Sequence, residues 1–312
     1  MNHSKNSYLN PALKNQIICI QGPTASGKTE LAIAIAQYLA TEIISADSRQ
    51  FYREMRIGTA KPSDAELSLV HHHFVNNRGI ANPMNVADFA AEAQPVLRHL
   101  IQTRGTAVVV GGSGQFVDAL VDGIDPVPHF PCIHSALDDQ FSSYGLDPLL
   151  RQLRNLDPKG MELIDIKNPR RVIRALEVRI GSGKSIFDFF DHKETRAFNV
   201  LRCMVNWNRP DLYQRIHQRV ELMLVSGLEK EVKDLAIWKD TAAMNTVGYK
   251  EWFDYFSETA PRESVIEKIK QHTRNYAKRQ LTWLQRYKDL IKLDPYAKAS
   301  AFEQMLPYLL QT

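Results

Sequence analysis

Residues 22–29, GPTASGKT, constrain this chain more than any other stretch. They follow the apolar run IICI (17–20) and lead into ELAIAIAQYLA (30–40), an order that reads as strand, tight loop and helix. The spacing fits GxxxxGK[ST], with Gly22, Gly27, Lys28 and Thr29 at the defining positions. Glycines there let backbone N–H groups approach phosphate oxygens, and the start of the helix adds partial positive charge. Pro23, Thr24, Ala25 and Ser26 complete the loop, which is read as a diphosphate cradle. A nucleoside triphosphate such as ATP is the default occupant, yet the loop would hold any diphosphate, so the rest of the chain must decide.

Strand and helix patterns alternate through the first third of the sequence. The expected strands are 16–21, 42–46 and 106–110, and the expected helices are 28–39, 85–103 and one opening near Gln115. Such alternation predicts an α/β fold, a parallel sheet flanked by helices. The pattern then changes at DPVPHFP (125–131), with three prolines in seven residues, and up to about 199 the spacing is helical. VLRCMVNW (200–207) returns to strand character, and everything from Asp211 to Lys288 is helix-like. The expected organisation is a discontinuous core, 1–124 with 200–312, interrupted by a helical insertion over 125–199.

Charge distribution narrows the partners. Net charge is +4 with a pI near 8.8, compatible with a nucleic-acid partner without requiring one. Seven Lys or Arg residues and no acid lie between Lys268 and Lys288, while NPRRVIRALEVR places Arg170, Arg171, Arg174 and Arg179 on one helix against Glu177 alone. Two basic helices call for a polyanion or a solvated face. On the helix expected over 262–288, Ile266, Ile269, Tyr276, Trp283 and Leu284 form an apolar stripe read as core, separate from Lys270, Arg274 and Lys278. No segment approaches the apolar length of a membrane span, the first fifteen residues lack a signal-peptide centre, and residence in the cytoplasm is expected. Cys19, Cys132 and Cys203 are too far apart in sequence for a CxxC zinc pair, and a disulfide framework is not expected.

Asp47 follows the second strand, within ISADSRQFYREMRIGTAKP (44–62), and the carboxyl ends of strands line the ligand crevice of an open α/β sheet. Its carboxylate suits a helix cap, a hydrogen-bond partner of the ligands around Mg2+, or a general base, and the sequence leaves these open. The strand AVVV ends in GGSG (111–114), where many phosphate-loop hydrolases carry an acid, and this counts against a motor or switch NTPase. A small-molecule kinase competes, but leaves GTAKP and both basic helices without a use.

GPTASGKT, DSRQFYREMRIGTAKP, VVVGGSGQF, NPRRVIRALEV, VGYKEW and TRNYAKRQLTWL together, in this order from about Ile17 to Trp283, resemble the tRNA dimethylallyltransferases. Those enzymes prenylate the adenosine just 3′ of the anticodon. The resemblance implies a phosphate-loop core with a helical insertion, dimethylallyl diphosphate as donor, Mg2+, and the anticodon stem-loop of tRNA as acceptor. It assigns Asp47 as the base at the adenine amine, with Ser48, Arg49 and Gln50 around the adenosine. Lys28, Arg219 and Ser113 would act on the diphosphate, with Thr29 a metal or phosphate ligand. Arg170, Arg171, Arg174, Gly248, Tyr249 and Lys250 would contact tRNA, and Arg274 and Lys278 are added from the basic stripe of the last long helix. The chain departs from the family's common pattern at Ser135, Asn245, Lys250 and Gln115-Phe116. It ends without the Cys/His pattern of the zinc finger in eukaryotic members, so a bacterial-type enzyme is expected. A monomer is expected. HHHF (71–74) has no acid or cysteine at ligand spacing and is read as structural, or as a wall of the active-site channel.

Overall fold

The computed structural model describes residues 15–190 and 198–310, so only Asn15 of the expected amino-terminal arm falls within it. By compactness the chain divides into Met1–Val121 with Arg196–Thr312, and Asp122–Thr195.

The first unit is built on a six-stranded parallel sheet with strand order β3-β2-β4-β1-β5-β6. The strands are β1 (Gln16–Gln21), β2 (Ile43–Ser45), β3 (His72–His73), β4 (Thr106–Gly111), β5 (Asn199–Val205) and β6 (Ile291–Leu293). Its helices before the insertion are α1 (Lys28–Tyr38), α2 (Asp64–Leu69), α3 (Val86–Arg104) and α4 (Gly114–Val121). The insertion contributes α5 (Pro131–Tyr144), α6 (Asp147–Leu156), α7 (Pro158–Leu163) and α8 (Pro169–Ser182). The chain then returns with α9 (Arg209–Val225), α10 (Leu228–Asp234), α11 (Trp252–Phe256), α12 (Arg262–Leu284) and α13 (Ala301–Leu310).

Period-two alternation sorts the buried strand residues between two cores. Ile17, Cys19, Ile44 and Val109 pack under α3 and α4, with Phe89 and Phe116. Ile18, Ile20, Ile43 and Val108 pack under α1 and α13 on the other face. Both faces of β1 are covered, which is why IICI is uniformly apolar. A third core joins Tyr52, Met55 and Ile80 to α9–α12 through Tyr249 and Trp252.

The insertion has its own core, from Leu137 and Leu153 to Val172 and Leu176. Its buried acid, Glu177, accepts bonds from the Phe130 amide, His129 and His134, and from Arg174 Nη1 at 2.6 Å. Burial alone would raise its pKa; these bonds prevail and hold the carboxyl down to about 2.

The structure departs from the expected elements in three places. Strands β3 and β6, two and three residues long, are too short to leave a periodic signal. The last long helix ends at Leu284 rather than 288, where the Gln285 amide caps it on Leu281 O and Trp283 O. Helix is also not continuous from Asp211 to Lys288: residues 239–251 run as successive turns, with Gly248 at φ 93°. No helix among the described residues is long and apolar enough to cross a membrane.

Candidate active site

A cavity of about 730 Å³ opens at the carboxyl ends of β1 and β2. The phosphate loop forms one wall, Asp47–Gln50 and Gly58–Pro62 another, and α9 and α12 close the sides.

The loop turns on Gly27 (φ 92°) and Ala25 (φ 63°), both left-handed, the first without penalty because glycine has no Cβ. It is held from outside. Arg215 Nε donates to Ala25 O at 2.8 Å, Trp207 Nε1 donates to Ser26 O at 3.0 Å, and the guanidinium of Arg215 lies over the Trp207 ring. Gln280 of α12 accepts the Thr24 amide at 3.0 Å and donates to Gly112 O at 2.8 Å, tying the loop to the end of β4. The GGSG run is glycine-rich because neighbours approach closely. A Cβ on Gly111 would stand 2.3 Å from Ala46 O, and one on Gly114 would stand 2.2 Å from the Trp283 ring.

Lys28 Nζ donates to Pro23 O at 2.6 Å. Burial, then the neighbouring Arg219 charge, push its pKa down to about 8, against the opposing pull of Asp47. Arg219, half-buried in the cavity wall and bonded to Ala60 O, is likewise lowered by desolvation and raised by Asp47. Two cations that repel each other beside a single carboxylate make a pocket that a multivalent anion would neutralise.

Asp47 lies two residues past the end of β2, and its Oδ1 accepts the Arg49 amide at 3.0 Å, which fixes the carboxylate's orientation. Ser113 Oγ accepts the Ser48 amide at 3.3 Å and supports the same turn from behind. Gln50 accepts from Ser45 Oγ and donates to Ala60 O. Beyond it, Glu231 accepts the amides of Arg56, Ile57 and Gly58 and the Tyr249 hydroxyl, so one carboxylate shapes the loop that forms the cavity wall. Lys61 completes that loop with bonds to Tyr52 O and Asn76 Oδ1, and burial lowers its pKa to about 8.

Thr24, Ala25, Ser26, Gly27, Lys28, Thr29, Asp47, Ser48, Arg49, Gln50, Arg219, Gly248 and Lys250 are thus brought together at the cavity. Gly22, Pro23 and Ser113 stand outside the lining. Tyr249 is fully buried and bonded to Glu231, so it shapes the wall and is not itself a surface for RNA. Arg174 is engaged with Glu177 and Val127 O, whereas Arg170 and Arg171 are exposed on α8. The basic stripe of α12 is weaker than its sequence promises. Lys268 pairs with Asp254, Lys270 pairs with Glu221 and Glu267, and Arg274 contacts His217 at 2.5 Å, which leaves Lys278 exposed outside the cavity.

Among the lining residues that the sequence reading did not assign to the site are Arg215, Tyr276, Arg279 and Gln280. Arg215 stands one helical turn before Arg219, and Tyr276 one turn before Gln280, so i,i+4 spacing from Arg219 and from the apolar stripe would have found them. Tyr276 belongs to the cavity rather than the core as expected, and burial pushes its phenol up to about 12. HHHF lines no part of the cavity. His71, His72 and His73 lie at the sheet edge, where β3 pairs with the start of β2, and Glu42 is adjacent in space despite its distance in sequence.

A family model described as IPP transferase matches residues 50–287. A tRNA dimethylallyltransferase from Christiangramia forsetii is 41% identical over 94% of this chain and 95% of its own length. One from Flavobacterium psychrophilum is 39% identical over 94% and 98%. Among solved structures, the full-length tRNA isopentenylpyrophosphate transferase of Bacillus halodurans superposes with a TM-score of 0.69 at 32% identity, covering 96% of this chain and 95% of that one. A eukaryotic dimethylallyltransferase described as acting on tRNA gives 0.77 at 25% identity, over 90% and 74%. With a matching sequence model, near-full-length relatives and the same phosphate-loop sheet carrying a helical insertion, this chain belongs to the IPP transferase family.

Proposed function

We propose that this chain transfers the dimethylallyl group of dimethylallyl diphosphate to the N6 amine of the adenosine 3′ of the anticodon in tRNA, acting as a monomer with Mg2+. The observation that carries this reading is the cavity itself, where Lys28 and Arg219 stand beside the phosphate loop and Asp47 interacts electrostatically with both. A diphosphate at the loop and an amine at Asp47 would bring nucleophile and leaving group to opposite sides of one carbon.

The N6 nitrogen attacks C1 of the allyl group, forming the C–N bond as the C–O bond to diphosphate breaks. The leaving oxygen keeps the electron pair, and its charge is stabilised by loop amides, Lys28 and Arg219. Asp47 takes the N6 proton, which matters because delocalisation into the ring makes the amine a poor nucleophile. The base must leave its stack to enter, between Tyr276 and the 47–50 turn.

Donor chemistry here fits a hard cation. Among the described residues the one cluster of three potential His, Cys, Asp or Glu ligands lies elsewhere, so the Thr29 hydroxyl and substrate oxygens, donors that Mg2+ accepts, would hold the ion. Mg2+ would add Lewis-acid neutralisation of the leaving diphosphate.

Labelled dimethylallyl diphosphate, Mg2+ and an anticodon stem-loop with adenosine in that position test the proposal. Label should appear on that adenosine and not on AMP in competition. Transfer to AMP alone would replace the tRNA acceptor with a free nucleotide.

A further inference from the structure

We infer that Glu42, His71 and His73 form a binding site for a divalent transition-metal ion of the Zn2+ type, at the edge of the sheet and separate from the active site. One nitrogen of each ring and a Glu42 oxygen all lie within 4.8 Å of one another. His73 Nε2 is already 2.6 Å from Glu42 Oε2, and the two imidazoles meet edge to face with centroids 4.4 Å apart. Zn2+ binds His nitrogen and carboxylate oxygen at about 2.0–2.2 Å, so small side-chain rotations bring all three atoms into one coordination sphere.

The backbone explains why two histidines converge and the third does not. Side chains alternate across a strand, which puts His71 and His73 on one side. His72 is buried on the other and bonded through Nδ1 to Val70 O. His71 O accepts the Ile43 amide at 3.0 Å, locking its backbone beside Glu42, and β3 pairs with β2 at Ile43↔His72. The ligand atoms therefore hang from paired strands, a rigid scaffold of the kind a metal site needs. His71 is exposed and the other two are half-buried, leaving room for water. His99 of α3 is close enough to His73 for their charges to interact, which puts a further imidazole nearby.

Imidazole with carboxylate is a donor set for Zn2+, Cu2+ or Ni2+ and not for Mg2+, so this site does not compete for the ion proposed at the phosphate loop. Because Glu42 precedes β2 and the cavity lies beyond its carboxyl end, a bound ion would clip the two-residue edge strand to β2 without touching the chemistry.

The test uses the untagged full-length chain, stripped with a chelator and titrated with Zn2+ against a competing chromophoric chelator. About one equivalent should bind, and the melting temperature should rise by several degrees at a hundredfold excess over Kd. His71→Ala, at an exposed position where folding is retained, should weaken binding more than about 100-fold, beyond the roughly 10–100-fold typical of an outer-shell loss. Glu42→Gln should weaken it at least tenfold. The pair His129→Ala and His134→Ala in the insertion should leave it unchanged, and Mg2+ should not displace the ion. Absence of saturable binding, unaltered affinity in His71→Ala, or loss confined to the insertion variants would overturn the inference.

Discussion

Asp47 closes a turn through the Arg49 amide while lying within electrostatic reach of Lys28 and Arg219. Asn at this position keeps the turn's acceptor and removes the base. Asp47→Asn should lower single-turnover prenyl transfer by about 10²–10⁴-fold with tRNA affinity within a few-fold of wild type; near-normal turnover would remove the base from Asp47. Lys28 gives a pH signature. Its folded pKa, about 8, lies below the ordinary lysine value of 10.5, so between those values the unfolded chain holds the extra proton and stability rises with pH. Below about pH 8 the fold carries a half-buried, poorly solvated charge at a cost. Lys28→Met should therefore raise the melting temperature of the ligand-free protein at pH 7 while abolishing diphosphate affinity. In the wild type, diphosphate affinity should fall above about pH 8 as the ammonium is lost.

At the scale of elements, α12 acts as both core and wall. Ile269 and Leu284 are buried, Tyr276 and Arg279 reach the cavity, and Gln280 bridges the phosphate loop to β4. Periodicity placed the start of the helix but overran its end at Leu284, and it could not say which apolar-stripe residue met solvent. That depends on where β4 and α9 stand. The glycines of GGSG work at the same scale, by close approach. Gly114→Ala would drive a Cβ into Trp283, whose indole donates to Asp118, and should destabilise the fold by about 1–3 kcal/mol in thermal or urea unfolding. A loss below about 0.5 kcal/mol would mean that α12 can shift away freely.

For the whole molecule, electrostatics should govern encounter with RNA. The proposed tRNA interaction predicts that log affinity falls linearly with log salt, at about 0.7–0.9 per phosphate neutralised. Arg170 and Arg171 are exposed on the insertion while Arg174 is bound to Glu177, so Arg170→Ala with Arg171→Ala should flatten that slope by roughly 1–2 and raise KM with little change in kcat. Arg174→Ala should instead destabilise the insertion, because it strips a bond from a buried carboxylate.

The phosphate loop, the parallel sheet, Asp47 at a strand end and the change to helix after DPVPHFP were all legible in the sequence. Each is a local pattern: a spacing, a period or a proline cluster enforced by neighbouring residues. Only the tertiary structure decided that Tyr249 is buried behind Glu231, that Lys268 and Lys270 are paired, and that Arg215, Tyr276 and Gln280 reach the loop. It also carried Glu42 to His71 and His73, through one parallel strand pairing. These are contacts between residues tens to hundreds of positions apart, set by strand order and helix docking, and no local pattern records which distant side chain will arrive.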